Sequence, residues 1–123
     1  IQPNNNAAAF STTNEADSWI CFEFLNHKIN VQKYTIRSNQ NRIGFNHLRN
    51  WQIEGSNNNA IWTVIDNVRY NKALNGPNFI NTFSVSNENN QTFKYIRIRQ
   101  PGLNWSNNHA LSLNCIEFYG LID

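Results

Sequence analysis

The sequence predicts an all-β domain built as a sandwich of two antiparallel sheets. Short segments rich in aromatic and β-branched residues alternate between apolar and polar positions, and Asn, Gly or Pro residues separate them. The chain contains 25 Asn in 123 residues, many of them clustered, and Asn favours turns because it tolerates positive φ and bonds its own backbone. No long segment has the 3.6-residue period of an amphipathic helix. Many strands with frequent turns and no helix are typical of a β-sandwich.

Seven segments carry the strand pattern. In chain order they are 18–24, 29–38, 48–56, 61–68, 79–86, 93–100 and 110–120. The third and fourth are predicted to form a hairpin whose tip contains the three Asn at 57–59. Residues 1–9 show no pattern and are interpreted as a tail or the remnant of an edge strand, whereas 10–121 form the predicted sandwich domain. Because the chain begins with Ile, we expect it to be a piece of a larger chain or assembly.

Alternation also divides the strand residues between the core and the outer faces. The predicted core consists of Ile20, Phe22, Phe24, Tyr34, Ile36, Trp51, Ile53, Trp62, Ile65, Phe83, Val85, Ile96, Ile98, Leu111, Leu113, Ile116 and Phe118. The opposite positions are polar, and Glu54, Arg97 and Arg99 would form a ladder if their strands share a sheet. We favour a solvated face with cross-strand ion pairs of about 0.2–1 kcal/mol each over a polar platform for a sugar or peptide.

The sequence gives little indication of catalysis, metal binding or nucleic-acid binding. The formal charge is only +2 and the Lys and Arg residues are scattered, which does not indicate a nucleic-acid partner. No apolar run approaches the length of a membrane span. The three His residues lack metal-ligand spacing, the carboxylates are scattered, and the single glycines form no phosphate-binding loop. We therefore expect no enzyme activity, no cofactor and no metal site.

Two polar loops hold the candidate contact residues. In the loop 100–109 the candidates are Asn104, Trp105, Asn107 and His109, and in the loop 39–47 they are Arg42, Phe45 and His47. Alternation does not require Trp105 in the core. A partly exposed Trp is a strong anchor for a partner, since it combines a large apolar area with a hydrogen-bond donor. The ring could equally fold over the end of the sandwich as a hydrophobic plug, and the sequence leaves both roles open.

Several motifs resemble those of one known family. In order they read SWICFEFLNHKI, YTIRS, LRNWQIEGSNNNAIW, YIRIRQPG and ALSLNCIEFYG. They resemble the discoidin domain, also called the type C domain of coagulation factors five and eight, within the galactose-binding-like superfamily. The resemblance covers about 10–121, and its wording is most similar to intracellular members attached to BTB, kelch or kinase modules.

The resemblance implies an eight-stranded jelly roll with no catalytic activity. The first strand is expected to be short or absent, and the loops 10–17, 39–47 and 100–109 are expected to gather at one end as the binding surface. Family members bind glycans, phospholipid head groups, collagen or peptide degrons, so the fold does not select the ligand. Some members hold calcium largely through backbone oxygens, which this sequence does not indicate.

The two cysteines bear on the cellular compartment. Extracellular discoidin domains usually join cysteines that flank the domain, whereas Cys21 and Cys115 lie inside predicted strands. A bridge is conceivable if the first and last strands are neighbours, but buried free thiols are the commoner use of such cysteines. Free thiols favour a reducing compartment, so we expect a cytoplasmic protein, with an extracellular one as the alternative.

Two functions of different class are compatible with these sequence features. The favoured one is an intracellular protein-interaction module that docks a protein or peptide partner through the loops at one end. The alternative is a lectin-like module that stacks a glycan on Trp105 or Phe45, or a module that binds a lipid head group. Neither function calls for nucleic acid or a membrane span.

Overall fold

The computed structural model describes residues 10–86 and 90–122 and is all-β throughout these ranges. Its strands are β1 (Phe10–Ser11), β2 (Trp19–Glu23), β3 (Ile29–Arg37), β4 (Trp51–Ser56), β5 (Thr63–Val68), β6 (Ile80–Ser84), β7 (Tyr95–Arg99), β8 (Ser112–Leu113) and β9 (Cys115–Ile122). Each of the seven predicted segments contains a strand, and the last divides into β8 and β9. The short first strand is confirmed by the two-residue β1. The tail or edge strand predicted for 1–9 lies outside the described residues.

Two antiparallel sheets form the layers of the sandwich. One has four strands in the order β2-β7-β4-β5, the other has three in the order β6-β3-β9, and β1 pairs with β8 beside them. Aromatic rings join the two layers. Phe22 of β2 meets Phe118 of β9 with centroids 5.8 Å apart, and Trp51 of β4 meets Phe83 of β6 at 5.3 Å. These contacts confirm the predicted sandwich. No helix of the described residues is long and apolar enough to span a membrane.

The core lies between the two layers, much as alternation predicts. Among the predicted core residues, Phe24, Tyr34, Ile36, Trp51, Ile53, Ile96, Ile98, Leu111, Leu113, Ile116 and Phe118 are buried, while Ile20, Phe22, Ile65, Phe83 and Val85 are half-buried against them. The core also contains Ile29, Val31, Leu48, Leu74 and Phe93, which alternation did not assign to it. The β3–β9 register shifts between Val31 and Lys33. This bulge lets odd-numbered residues face inward before it and even-numbered ones after it.

Trp62 was wrongly assigned to the core. It precedes β5, so strand alternation does not govern its direction, and it is only half-buried. The guanidinium of Arg97 lies 4.0 Å from the Trp62 ring centroid and 5.6 Å from the Trp19 ring centroid. Trp62 therefore packs on the outer face of the four-stranded sheet.

The predicted polar ladder is present on that outer face. Glu54 of β4 accepts hydrogen bonds from Arg97 Nε at 2.6 Å and Arg99 Nε at 3.2 Å, since all three face outward on paired strands. The expectation of a solvated face was wrong, because only 5% of the Glu54 side chain is exposed.

Asparagine forms many of the turns, as its abundance suggests. Within the described ranges, six Asn adopt positive φ, namely Asn26, Asn46, Asn59, Asn78, Asn90 and Asn107. The predicted hairpin joins β4 to β5, and its tip is ordered by Ser56 and Asn58. Asn58 Oδ1 accepts hydrogen bonds from the backbone of Ala60 and Ile61, both at 2.9 Å. The side chain thus replaces backbone pairing that a tight turn lacks.

The two cysteines are free thiols, as expected. Cys21 lies on β2 of the four-stranded sheet, where its partner across the ladder is the outward-facing Arg97. Cys115 lies on β9 of the three-stranded sheet, beside the outward-facing Arg37 and Glu117. The first and last long strands therefore belong to different layers, and a bridge between these outward thiols is sterically excluded.

Strand direction gives the sandwich two distinct ends. Trp19, Gln52 and Arg99 are register partners, and so are Arg37, Ile80 and Cys115. The loops next to these residues, 12–18, 38–50, 69–79 and 100–111, therefore share one end, which we call the loop end. The connections 24–28 and 57–62 lie at the opposite end, which we call the hairpin end, together with 85–86 and 90–94.

Candidate functional site

The three loops predicted to gather are joined by direct hydrogen bonds at the loop end. The backbone N–H of Trp105 donates to His47 O at 3.0 Å, and the backbone N–H of Asn46 donates to Ser106 Oγ at 2.8 Å. These bonds tie 39–47 to 100–109. The loop that precedes β2 joins them through Asn14, whose Oδ1 accepts from the backbone of His109 at 2.7 Å.

A fourth loop, 69–79, also belongs to this surface and was not predicted from the sequence. The Asn71 backbone N–H donates to Arg49 O at 3.0 Å, and Asn75 Oδ1 accepts from the backbone of Gly44 at 2.8 Å. Trp105 Nε1 donates to Asn71 O at 3.2 Å. The indole of Trp105 is therefore held by a segment that no sequence pattern associates with it.

An aromatic cluster lies where these loops meet. We call Arg49, Tyr70, Trp105 and Asn107 the aromatic patch. The rings of Tyr70 and Trp105 meet edge to face, with centroids 5.4 Å apart and an interplanar angle of 67°. The guanidinium of Arg49 lies 5.1 Å from the Trp105 centroid and 5.3 Å from the Tyr70 centroid, and its Nη2 donates to Asn107 Oδ1 at 3.1 Å. Arg49 thus receives cation–π contacts from both rings.

The burial of Trp105 is intermediate between the two placements that the sequence left open. The side chain is half-buried, so part of the ring packs over the end of the sandwich and part remains accessible. Tyr70 is more accessible, with 68% of the residue exposed. The patch therefore places a half-buried Trp beside an exposed Tyr.

Tyr70 has an unusual backbone conformation. Its φ is 51°, in the left-handed region that bulky residues rarely adopt. The Tyr70 backbone N–H donates to Asn50 Oδ1 at 3.0 Å, and this bond supports the conformation. Strain of this kind costs on the order of 1–3 kcal/mol and concentrates at functional sites. The Arg49 Nε is buried and has no hydrogen-bond partner within the described residues, which adds an unsatisfied donor to the patch.

Two predicted contact residues, His47 and Asn104, are buried with no exposed area. His47 Nε2 lies 2.9 Å from the carbonyl oxygens of both Asn41 and Arg42, so the imidazole organises its own loop. The prediction that His47 and Asn104 contact a partner does not fit this burial. The error arises because both residues lie in polar loops, where local sequence does not distinguish a buried hydrogen-bonding residue from an exposed one.

Asn104 instead organises the loop 100–111. Its Oδ1 accepts from the backbone of Ser106 at 2.8 Å and of Asn108 at 3.2 Å. Its Nδ2 donates to Asn108 Oδ1 at 2.8 Å and to Ala110 O at 2.9 Å. The amide is thereby fully used within the loop end.

The remaining predicted residues stay near the surface. Arg42 and Phe45 are exposed, and the guanidinium lies 5.3 Å from the Phe45 ring centroid. His109 is half-buried, and Asn107 is exposed within the aromatic patch. Their role in binding remains a prediction.

Arg49 and Tyr70 are the patch residues that sequence reasoning missed. Arg49 lies within the third predicted strand segment, two residues before β4 begins, and Tyr70 follows β5 by two residues. An aromatic beyond a strand end, next to Arg69 and Asn71, is a weak signal of a loop-end contact. Among the described residues no group of three or more His, Cys, Asp or Glu side chains could hold a metal ion.

Comparison with known proteins identifies the family. The model of the Sad1/UNC-like C-terminal family matches residues 1–121. In Drosophila melanogaster, the E3 ubiquitin-protein ligase Ufd4 is 33% identical over 92 residues, which is 72% of this chain but only 3% of the ligase. The chain therefore spans a small part of that relative.

Several solved structures with the same fold are binding modules. The module CBM32-3 from a family 31 glycoside hydrolase of Clostridium perfringens has a TM-score of 0.70 at 19% identity, covering 95% of this chain and 77% of that one. The lectin domain of lectinolysin, complexed with Lewis B antigen, has a TM-score of 0.66 at 16% identity, covering 92% and 72%. CpGH89CBM32-5 of Clostridium perfringens, in complex with GalNAc-β-1,3-galactose, has a TM-score of 0.68 at 10% identity, covering 94% and 77%. These matches confirm the discoidin-like, galactose-binding-like fold.

Proposed function

Since this chain belongs to the Sad1/UNC-like C-terminal family, we propose that it is a non-catalytic module whose loop end docks a partner protein or peptide. The observation that carries the proposal is the aromatic patch. It places an exposed Tyr70 and a half-buried Trp105 against the guanidinium of Arg49. Trp, Tyr and Arg are the residues most enriched among those that dominate protein-binding energy.

The patch is rigid enough to bind without a large ordering cost. Trp105 is hydrogen-bonded through both its backbone and its indole nitrogen, and Arg49 is held by Asn107. Preorganised side chains lose less conformational entropy on association, so more of the contact energy is retained as affinity.

The relative from Drosophila melanogaster favours a protein partner. A matching segment lies within an E3 ubiquitin-protein ligase, although that segment is a small share of the ligase. A reducing compartment such as the cytoplasm is part of the proposal, supported by two free thiols on opposite layers of the sandwich.

A glycan-binding function is the second candidate, favoured by the solved structures. Two of the similar structures described above are complexes with glycans, namely Lewis B antigen and GalNAc-β-1,3-galactose. The exposed face of Tyr70 could stack on a sugar ring, while Arg49 and Asn107 offer hydrogen-bonding groups. The same patch would then serve a different ligand class.

The experiment measures both ligand classes on the same protein variants. Immobilised wild-type domain is incubated with cell extract, captured proteins are quantified by mass spectrometry, and a glycan array is probed in parallel. We expect a defined set of captured proteins to fall at least about tenfold with Tyr70→Ala, which corresponds to about 1.4 kcal/mol of binding free energy.

The control is Ile61→Ala. Ile61 is 74% exposed at the hairpin end, so its removal tests for nonspecific hydrophobic binding without altering the patch. Equal loss with both variants would contradict docking at the loop end. Glycan-array signals that depend on Tyr70, without any Tyr70-dependent protein, would replace the protein proposal with the glycan one.

A further inference from the structure

The hairpin end holds a cavity that is separate from the aromatic patch. Its volume is about 360 Å³ and it is lined by Asn26, His27, Lys28 and Lys94. We call these residues the basic pocket. A cavity of this size is within the range of small-ligand sites. It lies at the end of the sandwich opposite the four loops described above, so it is independent of the proposed docking function.

Backbone hydrogen bonds fix the chain segments that form the basic pocket. The connection 24–28 is anchored before and after its turn. The backbone N–H of Phe24 donates to Lys94 O at 2.9 Å, and Ile29 and Phe93 exchange backbone hydrogen bonds at 2.9 and 3.0 Å. Between these anchors Asn26 takes a φ of 62°, which turns the chain sharply. The backbone of Lys94 is thus held against the loop that carries His27 and Lys28.

The lining of the basic pocket is cationic and, among the described residues, includes no carboxylate. Lys94 Nζ lies 3.5 Å from Glu23 Oε2, but both side chains are about two-fifths exposed, so this ion pair is weak and readily exchanged. Lys28 is exposed and forms no ion pair with a carboxylate in the part of the chain that the structure describes. Two lysines, a histidine and an asparagine therefore line one concave surface.

We propose that the basic pocket binds a phosphate monoester, carried either by a soluble metabolite or by a lipid head group. A phosphate monoester carries a charge of about −1.5 to −2 at neutral pH and three strong acceptor oxygens. Lysine binds phosphate as a point charge through charge-assisted hydrogen bonds, and the Asn26 amide supplies a further donor. The cavity is larger than a phosphate group, which leaves room for the organic part of the ligand.

The test follows backbone amide NMR shifts of the labelled domain during titration with inorganic phosphate and glycerol phosphate. We expect saturable shifts at Asn26, His27, Lys28 and Lys94, and weaker binding as NaCl is raised, because salt screens the exposed ammonium groups. Lys28→Ala should weaken glycerol phosphate binding about tenfold, the equivalent of one charge-assisted hydrogen bond. Lys28→Arg should retain most of the affinity.

The matched control is Lys72→Ala, which changes the net charge equally at the loop end. Lys72 is exposed, so its removal should leave glycerol phosphate binding within about twofold of wild type. Equal weakening by Lys28→Ala and Lys72→Ala, or shifts spread over both ends, would overturn the site. The absence of saturable shifts with glycerol phosphate and with vesicles would overturn it as well.

Vesicle sedimentation distinguishes the two sources of the phosphate group. Phosphatidylcholine vesicles containing phosphatidylinositol monophosphate are compared with vesicles containing an equal charge of phosphatidylserine, which carries only a phosphodiester. Lys28-dependent binding to the first vesicles, tighter than to glycerol phosphate, assigns a lipid head group. Binding to glycerol phosphate alone assigns a soluble ligand. Equal sedimentation with both vesicle types, unaffected by Lys28→Ala, would contradict recognition of a monoester.

Discussion

Replacing Glu54 tests whether the outer-face network stabilises the fold. Its side chain is 5% exposed, and its carboxylate accepts hydrogen bonds from Arg97 Nε and Arg99 Nε. Glu54→Ala leaves Arg97, whose side chain is only 16% exposed, with no carboxylate partner among the described residues. Arg99 keeps Asp17 at 2.6 Å and Gln52 Oε1 at 3.0 Å.

The magnitude follows from this difference between the two arginines. Removing one partner of a buried pair typically costs about 3–5 kcal/mol, because the other charge is left without compensation. Since Arg99 retains two partners and Arg97 retains its packing against Trp19 and Trp62, we expect the lower part of that range, about 3 kcal/mol. An exposed ion pair would contribute less than about 1 kcal/mol.

Urea unfolding followed by tryptophan fluorescence provides the measurement. With a slope of about 1–3 kcal/mol/M, a loss of about 3 kcal/mol lowers the midpoint by about 1–3 M. The control is Glu23→Ala, which removes the exposed pair with Lys94 and should cost less than about 1 kcal/mol. If Glu54→Ala and Glu23→Ala shift the midpoint equally, the network behaves as a solvated face and its burial adds nothing to stability.

Three further changes have expected outcomes. Trp105→Ala should lower the free energy of unfolding by about 2 kcal/mol, because the ring is half-buried, and a loss above about 4 kcal/mol on calorimetry would make it a core residue instead. Gly120→Ala should prevent normal folding, because an added Cβ would clash with the backbone oxygen of Asn30 in β3. At Gly102 an added Cβ would lie 3.3 Å from its nearest neighbour, so Gly102→Ala should lower the free energy of unfolding by less than about 1 kcal/mol. Thermal melting of both variants provides the measurement. Burial raises the pKa of both Cys21 and Cys115, so a thiol reagent should label them more slowly in the folded protein than in the urea-unfolded chain. The difference between the two labelling rates should narrow above pH 9. The stability linked to these raised pKa values is complete below the ordinary thiol pKa and falls as the pH rises above it. Equal labelling rates for the folded and the urea-unfolded chain at pH 8 would contradict the raised pKa values.

The strands could be predicted because their alternation is local. Tyr34 with Ile36, and Ile96 with Ile98, occupy every second position and are buried as predicted. Alternation assigns residues to the wrong face where a β-bulge interrupts the strand. Val31 is buried although it has the opposite parity to Tyr34, because the β3–β9 register shifts between them.

The candidate site could be predicted only in part. Clusters of Asn marked the loops, and the family resemblance placed three of these loops at one end. The burial of His47 and the approach of Tyr70 to Trp105 depend on contacts between loops far apart in the chain. No local pattern contains that information. His47 was therefore predicted as a contact residue although it is buried, and the exposed Tyr70 was not predicted.

The pairing of β3 with both β6 and β9 also has a consequence for the order of assembly. β3 ends at Arg37, yet one of its neighbours begins at Cys115, so the three-stranded layer joins segments from opposite ends of the described chain. Pairings between such distant segments form slowly, typically over milliseconds to seconds, because a long loop must close before any contact is gained. During synthesis on the ribosome, β3 therefore remains without its longest partner until the final strand has emerged.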